Sequence, residues 1–103
     1  MSIINKICEA IYAELIRQNT DESAANLRVD RVLVDYPTYM DIKADRHFPH
    51  WCFECWDETD GCATHIITIM GHPLVPTYEV TGFDIMLNDG TIAPKAEKDT
   101  AQN

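Results

Sequence analysis

Residues 48–70, FPHWCFECWDETDGCATHIITIM, are the stretch that decides how this chain folds. They include three of the four cysteines and both tryptophans of the protein. Residues 57–61 form an acidic segment ending in glycine, which tight turns need. We therefore predict a β-hairpin, with one strand before this turn and a second over residues 63–70. Side chains alternate along the first strand, which has Trp51, Phe53 and Cys55 on one face and Cys52, Glu54 and Trp56 on the other.

An amphipathic helix is predicted over residues 3–18. Apolar residues recur there at spacings of three and four, which places them along one face of a helix. These residues are Ile4, Ile7, Cys8, Ile11 and Leu15. Ser2 directly precedes the helix and is a favourable N-cap, because its hydroxyl can accept a free backbone N–H of the first turn.

Further segments carry β-strand signals. β-branched residues dominate residues 28–36, which we predict as a strand that Pro37 interrupts. Additional predictions are a short edge strand at 39–43, irregular or edge structure at 74–76, and strands at 77–81 and 83–87 with Gly82 as a bend between them. Asn88-Asp89-Gly90 is a turn signal, and residues 91–93 are expected to pair back across it.

One helix followed by strands with short connections is typical of an α+β protein. We predict a single domain over residues 1–93, in which the N-terminal helix packs on an antiparallel sheet of about four or five strands. Residues 94–103 have no apolar periodicity, so we expect a flexible C-terminal tail.

The composition argues against several function classes. A net charge of −9 makes direct binding to nucleic acid or to an anionic membrane unfavourable. No apolar run reaches the length of about eighteen residues that a membrane span needs. Lys6 and Glu9 interrupt the apolar residues at the start, so we expect no signal peptide and a cytoplasmic protein with reduced cysteines.

The charges are unevenly distributed along the chain. No lysine or arginine lies between Arg46 and Lys95, whereas seven acidic residues do. Such a region predicts a negative face for a basic or nucleic-acid-binding protein, because complementary charge speeds association and helps to select the partner. The alternative is a solvated face that keeps the protein soluble. The predicted partner-binding residues are Glu54, Trp56, Asp57, Glu58, Asp60, Asp84 and Asp89.

The order of elements in this region resembles that of a known class of inhibitors. An acidic hairpin turn, an apolar strand, a proline-containing turn and two more strands look like the small phage-encoded proteins that mimic DNA, such as the uracil-DNA glycosylase inhibitors. The resemblance covers about residues 54 to 92 and rests on general hairpin features. It implies an inhibitor that blocks nucleic-acid access, and it transfers no site residue because the short helices of those inhibitors do not match.

A metal site is a second hypothesis. Two pairs of residues with soft or borderline ligand atoms, in the pattern C-x2-C-x6-C-x2-H, could close a tetrahedral zinc site and stabilise a small structural or adaptor domain. The members are Cys52, Cys55, Cys62 and His65, with His47 and His50 as alternatives to the last. Against the site, residues three apart in a regular strand face opposite ways. We therefore expect no required cofactor, with zinc as the possible exception.

Catalysis is not indicated. The sequence has no nucleophile elbow and no phosphate-binding glycine loop, and no spacing singles out a pair of carboxylates. We therefore predict a small, acidic, non-catalytic binding protein, with the zinc-stabilised domain as the alternative.

Overall fold

The computed structural model describes residues 2–59 and 61–94, apart from the side chains of Asp57 and Thr59. The α+β class is confirmed, because an N-terminal helix packs on a five-stranded sheet within these residues. The helices are α1 (Ile3–Thr20), α2 (Tyr36–Ala44) and α3 (Phe48–Trp51), with a 3-10 turn at Glu22–Ala24. The strands are β1 (Val29–Val34), β2 (Cys52–Thr59), β3 (Cys62–Ile69), β4 (His72–Pro76) and β5 (Phe83–Leu87). The predicted tail beyond residue 94 lies outside the described residues.

Helix α1 begins where its cap predicts. The Ser2 hydroxyl oxygen accepts the backbone N–H groups of Ile4 at 3.1 Å and Asn5 at 3.4 Å, which satisfies donors that the first helical turn leaves free. The predicted apolar face holds through Ile11, which is fully buried. It does not hold at Leu15, which is 37% exposed.

Helix α2 replaces the edge strand predicted at residues 39–43, so that prediction is wrong. The Asp35 carboxylate caps the helix by accepting the Thr38 N–H at 2.8 Å, and Pro37 lies in the first turn. Proline is favourable there, because the first-turn N–H groups have no partner within the helix and the ring fixes a helical φ. Strand β1 thus ends at Val34, earlier than predicted, and Tyr36 and Pro37 belong to the helix.

The sheet is mixed, and the prediction of an antiparallel sheet is corrected accordingly. Across the described residues the strand order is β2-β3-β4-β1-β5, and β1 runs parallel to β4 and antiparallel to β5. Strand β4 therefore lies inside the sheet, although Pro76 led us to predict irregular or edge structure. The Thr77 N–H donates to the Val34 carbonyl at 2.8 Å, so the nitrogen of Pro76 points away from β1, toward β3. Pairing between β3 and β4 has ended at Leu74, so the missing donor costs no ladder hydrogen bond.

The hydrophobic core lies on one face of the sheet. Strand residues at alternate positions pack there against α1 and α2, which contribute Ile7, Ile11 and Ile42 among others. The strand residues of this core face are Val32, Val34, Ile67, Ile69, Leu74, Ile85 and Leu87.

The connection from β4 to β5 differs from the prediction, whereas the turn after β5 matches it. Residues 77–81 form bends and no strand, and Gly82 has a φ of +76°, which favours glycine. After β5 the chain turns at residues 88–90 and pairs back through Ile92, which bridges Met86. No helix in the described part of the chain is long and apolar enough to cross a membrane.

Candidate functional site

The β2–β3 hairpin extends beyond the rest of the sheet. All eight residues of β2 pair with β3, but β3 pairs with β4 only through Ile67–Ile69. In the described part of the chain, the pairs from Cys55–Ile66 to Thr59–Cys62 therefore have no third strand beside them. We call residues 55–66 the hairpin arm. At about 3.4 Å per residue it is roughly 15 Å long, which leaves most of its side chains accessible.

The arm forms because its sequence supports a tight hairpin. Thr59 pairs with Cys62, and Gly61 has a φ of +79°, a backbone conformation that strains side chains other than glycine. Strand β2 thus continues further than predicted, through the first half of the acidic turn. The side chain of Asp57 and the whole of Asp60 lie outside the described residues.

Three of the predicted partner-binding residues share one face of β2. Glu54, Trp56 and Glu58 occupy alternate positions of the strand. Their side chains lie on the same face of the sheet as the hydrophobic core. All three are exposed, and Trp56 keeps 67% of its surface accessible. On the opposite face Phe53 is 69% exposed. The two accessible aromatic rings of β2 therefore lie on opposite faces of the strand, and the two carboxylates flank Trp56.

His65 organises this face of the arm. Its Nε2 lies 2.7 Å from Glu54 Oε2, and its ring lies 4.9 Å, centroid to centroid, from the indole of Trp56. His65 was predicted as a zinc ligand, but the structure gives it the role of a cross-strand partner. Trp56 and His65 pair directly, since both lie three residues from the Thr59–Cys62 pair that closes the hairpin. Counting outward from the turn would have found this contact in the sequence.

The other two predicted acidic residues lie elsewhere. Asp84 is on β5, at the opposite edge of the sheet, and pairs with Leu33 on the opposite face from the core. Asp89 follows β5 and lies at the end of the sheet where β1 begins. The arm extends from the opposite end of the sheet, where β1 ends. Its carboxylate accepts the Thr91 N–H at 3.0 Å and the Thr91 hydroxyl at 2.6 Å, which lowers its pKa. The structure therefore does not join these residues to the arm in one anionic face.

The four proposed zinc ligands are not brought together. Strand β2 is regular, so Cys52 packs against the core on one face while Cys55 lies on the other. Cys62 lies four residue pairs beyond Cys55, at the end of the hairpin, a separation of roughly 13 Å. Among the described residues no group of three histidine, cysteine or acidic side chains could hold a metal ion. The zinc hypothesis is therefore not carried further.

A concave feature lies beside α1. It is an open, largely apolar groove of about 300 Å³. Its lining is Asn5, Cys8, Glu9, Tyr12, Trp51 and Met70. Cys52 directly follows Trp51 of this lining, and burial together with the charges of Cys8 and Asp45 raises the pKa of its thiol to about 11. A thiol with that pKa is mostly protonated at neutral pH, which is unfavourable for a nucleophile.

The position of β2 at the edge of the sheet was not predicted from the sequence. Strand order depends on which strands meet in space, and no residue in β2 signals it directly. The alternation of charged and aromatic residues in β2 was the available indication, since charged side chains are common on edge strands.

Comparison with known proteins adds no relative to this description. The chain matches no protein-family model, and neither the curated proteins nor the solved structures include a match to it.

Proposed function

We propose that this protein is a non-catalytic binding module that docks its hairpin arm on a basic surface of another protein. The observation that carries the proposal is the shared face of Glu54, Trp56 and Glu58 on an edge strand. No lysine or arginine occurs between Arg46 and Lys95, and the Glu54 carboxylate contacts the His65 imidazole rather than a lysine or arginine.

The two kinds of side chain would contribute differently to binding. The carboxylates would steer association toward a cationic surface and disfavour acidic partners. The Trp56 ring, now largely in contact with solvent, would supply buried area at the centre of the interface. A basic surface with these properties is also what nucleic-acid-binding proteins offer to phosphates. We therefore propose that binding competes with nucleic acid and inhibits such a partner, in the cytoplasm, where the four free cysteines would stay reduced.

The test compares two charge-matched double variants. E54Q/E58Q removes the two carboxylates that flank Trp56, while E22Q/D41N removes the same charge from exposed positions on the 3-10 turn and α2. Binding is measured by biolayer interferometry against a panel of purified basic nucleic-acid-binding domains, with acidic proteins of similar size as negative controls. We expect selective binding to basic domains that weakens as salt rises from about 50 to about 300 mM. E54Q/E58Q should weaken it by about tenfold, and E22Q/D41N should leave it nearly unchanged.

Equal binding to acidic and basic proteins would overturn the proposal, as would indifference to E54Q/E58Q. The inhibitory part has its own test, in which a labelled duplex competes with the protein for a domain that binds it. If the protein and the duplex bind that domain together, the inhibitory role is wrong even though the binding role stands.

A further inference from the structure

Among the residues that the structure describes, no strand pairs with the outer side of β2. Within the described residues it pairs only with β3, and it is eight residues long. Edge strands with free N–H and C=O groups can accept another strand, unless the protein covers or interrupts them. β2 contains neither a proline nor a bulge in its register with β3.

The hydrogen-bond pattern identifies which backbone groups face outward. The Met70 N–H donates to the Trp51 carbonyl at 3.0 Å. The backbone N–H and C=O groups of Trp51 therefore point toward the β3 side of the hairpin. In an antiparallel ladder this direction alternates from residue to residue. The backbone N–H and C=O groups of Phe53 and Cys55 therefore bond to β3. Those of Glu54, Trp56 and Glu58 point to the free edge. The same three residues also share one side-chain face.

Charge argues against a second copy of the chain as the occupant of this edge. In the antiparallel pairing centred on Trp56, Glu54 of each copy would lie directly opposite Glu58 of the other. Like charges in that arrangement are destabilising, and each chain already carries a net charge of −9. A segment with positive charges at these positions would instead be stabilised by the same geometry.

The chain's own last residues are also a poor fit. Ile92 pairs on the outer side of β5, which is the edge opposite β2. At about 4.8 Å per strand, crossing the sheet takes nearly 30 Å. Residues 95–103, fully extended, span at most about 32 Å and would have almost nothing left to pair along β2.

We propose that β2 accepts an extended basic segment of its partner as an added antiparallel strand. Lysine or arginine would lie opposite Glu54 and Glu58, and an apolar residue opposite Trp56, which gives the pattern cation-x-apolar-x-cation. The antiparallel sense is the more stable pairing per residue. This inference rests on the proposed function and specifies how the arm binds, since main-chain hydrogen bonds supply affinity and alternate side chains supply specificity.

Methylated peptides separate strand addition from simple charge attraction. The probe is a peptide with blocked termini in which a lysine, a valine and a second lysine are separated and flanked by threonines. N-methylation of the lysine and valine nitrogens removes the donors that would face β2, while N-methylation of the threonines between them removes donors that would face solvent. Affinity is measured by fluorescence in a W51F background, where Trp56 is the only tryptophan. We expect the first methylated peptide to bind about tenfold more weakly and the second to bind like the parent.

Amide exchange measured by NMR gives an independent readout. Peptide binding should slow exchange at Glu54, Trp56 and Glu58, and should leave Phe53 and Cys55 nearly unchanged because they already bond to β3. Peptide binding without this alternating protection would overturn strand addition and leave the proposed function standing.

A proline variant tests the same edge in the protein. W56P removes an outward N–H and should leave the β3 ladder intact, whereas W56V removes the indole but keeps that donor. Circular dichroism and a thermal melt check that both variants fold. We expect W56P to bind the peptide more weakly than W56V, and equal binding would count against the inference.

The two proposals fail in different ways. If basic domains bind in a manner sensitive to E54Q/E58Q but no peptide binds, the edge is not the docking element and only the further inference is lost. If neither domains nor peptides bind, both proposals are lost. A dimer in sedimentation experiments that W56P dissociates would show that a second copy occupies the edge, which overturns the basic-segment assignment.

Discussion

Asp35 and Gly82 are hydrogen-bonded in both directions. The Asp35 N–H donates to the Gly82 carbonyl at 2.9 Å, and the Gly82 N–H donates to Asp35 Oδ2 at 2.8 Å. The other carboxylate oxygen accepts the Thr38 N–H, also at 2.8 Å. One side chain thus joins the end of β1, the first turn of α2 and the residue before β5. The Thr38 side chain and the N–H groups of Gly82 and Thr38 favour the charged carboxylate and lower the pKa of Asp35.

Replacing Asp35 should therefore destabilise two connections at once. D35A removes the helix cap and leaves the Gly82 N–H without its acceptor, so the melting temperature should fall. D41A, at an exposed position of the same helix, is the matched control and should change the melting temperature little. Thermal melts of both variants at neutral pH check this. Equal shifts would show that the Asp35 bonds contribute no more than an exposed helix residue.

Acid should weaken the contact between Ser2 and Asp45. The Ser2 hydroxyl donates to the Asp45 carboxylate, which also accepts the His47 N–H at 2.8 Å, and these bonds lower the pKa of Asp45 to about 2. Since an unfolded aspartate has a pKa of about 3.9, the stabilisation is complete above pH 4 and is lost as pH falls toward 2.

The test is a series of thermal melts between pH 6 and pH 2. D45N should flatten the decrease in melting temperature below pH 4, whereas the exposed D41N should leave the slope of the wild type. A D45N slope equal to that of wild type would assign the acid sensitivity to other carboxylates.

Two neighbouring isoleucines test the faces of β3. Ile67 is 1% exposed in the core, while Ile66 lies on the opposite face and is only partly buried. I67A should lower the free energy of unfolding by about 3 kcal/mol, because it removes buried methyl groups and leaves a cavity. I66A makes the same chemical change and should cost much less. Chemical denaturation of both variants gives the comparison, and a larger loss for I66A would mean that the faces are assigned the wrong way round.

Cysteine alkylation distinguishes the two ends of the hairpin. Cys62 is exposed, whereas Cys52 is partly buried and has a pKa raised to about 11. Iodoacetamide should modify Cys62 first and Cys52 slowly, because the thiolate is the reactive form. Peptide mass spectrometry at pH 8 measures both rates. Added zinc should protect neither thiol, and strong protection of both would revive the metal site.

Much of the local structure could be predicted from the sequence. The spacing of Ile4, Ile7 and Ile11 identified the amphipathic helix, and Ser2 identified its start. The turn at residues 57–61 and the strands beside it identified the hairpin, although the strands proved longer. Each of these features depends on residues close together in the chain, where periodicity and turn chemistry act directly.

Other local signals were ambiguous and were resolved by their surroundings. Pro37 predicts the interruption of a strand but lies in the first turn of α2, and both positions suit a residue with a fixed φ and no N–H. Asp35 as an N-cap favours a helix after β1. The apolar residues of α2 form no clear helical face, because only Ile42 among them is fully buried. Residues 77–81 have strand propensity yet form bends, since the bonds between Asp35 and Gly82 fix the path of the chain into β5.

The sequence by itself determined the N-terminal helix, its cap, the presence of the hairpin and the excess of acidic residues. Only the tertiary structure decided that β4 pairs in parallel with β1, that β2 lies at an edge, and that the acidic residues divide between two faces and two ends of the sheet. The physical reason is the range of the interactions. Caps, turns and alternation act over a few residues, whereas a pair such as Val32 and Leu74 forms only when segments far apart in the chain bury their apolar faces together.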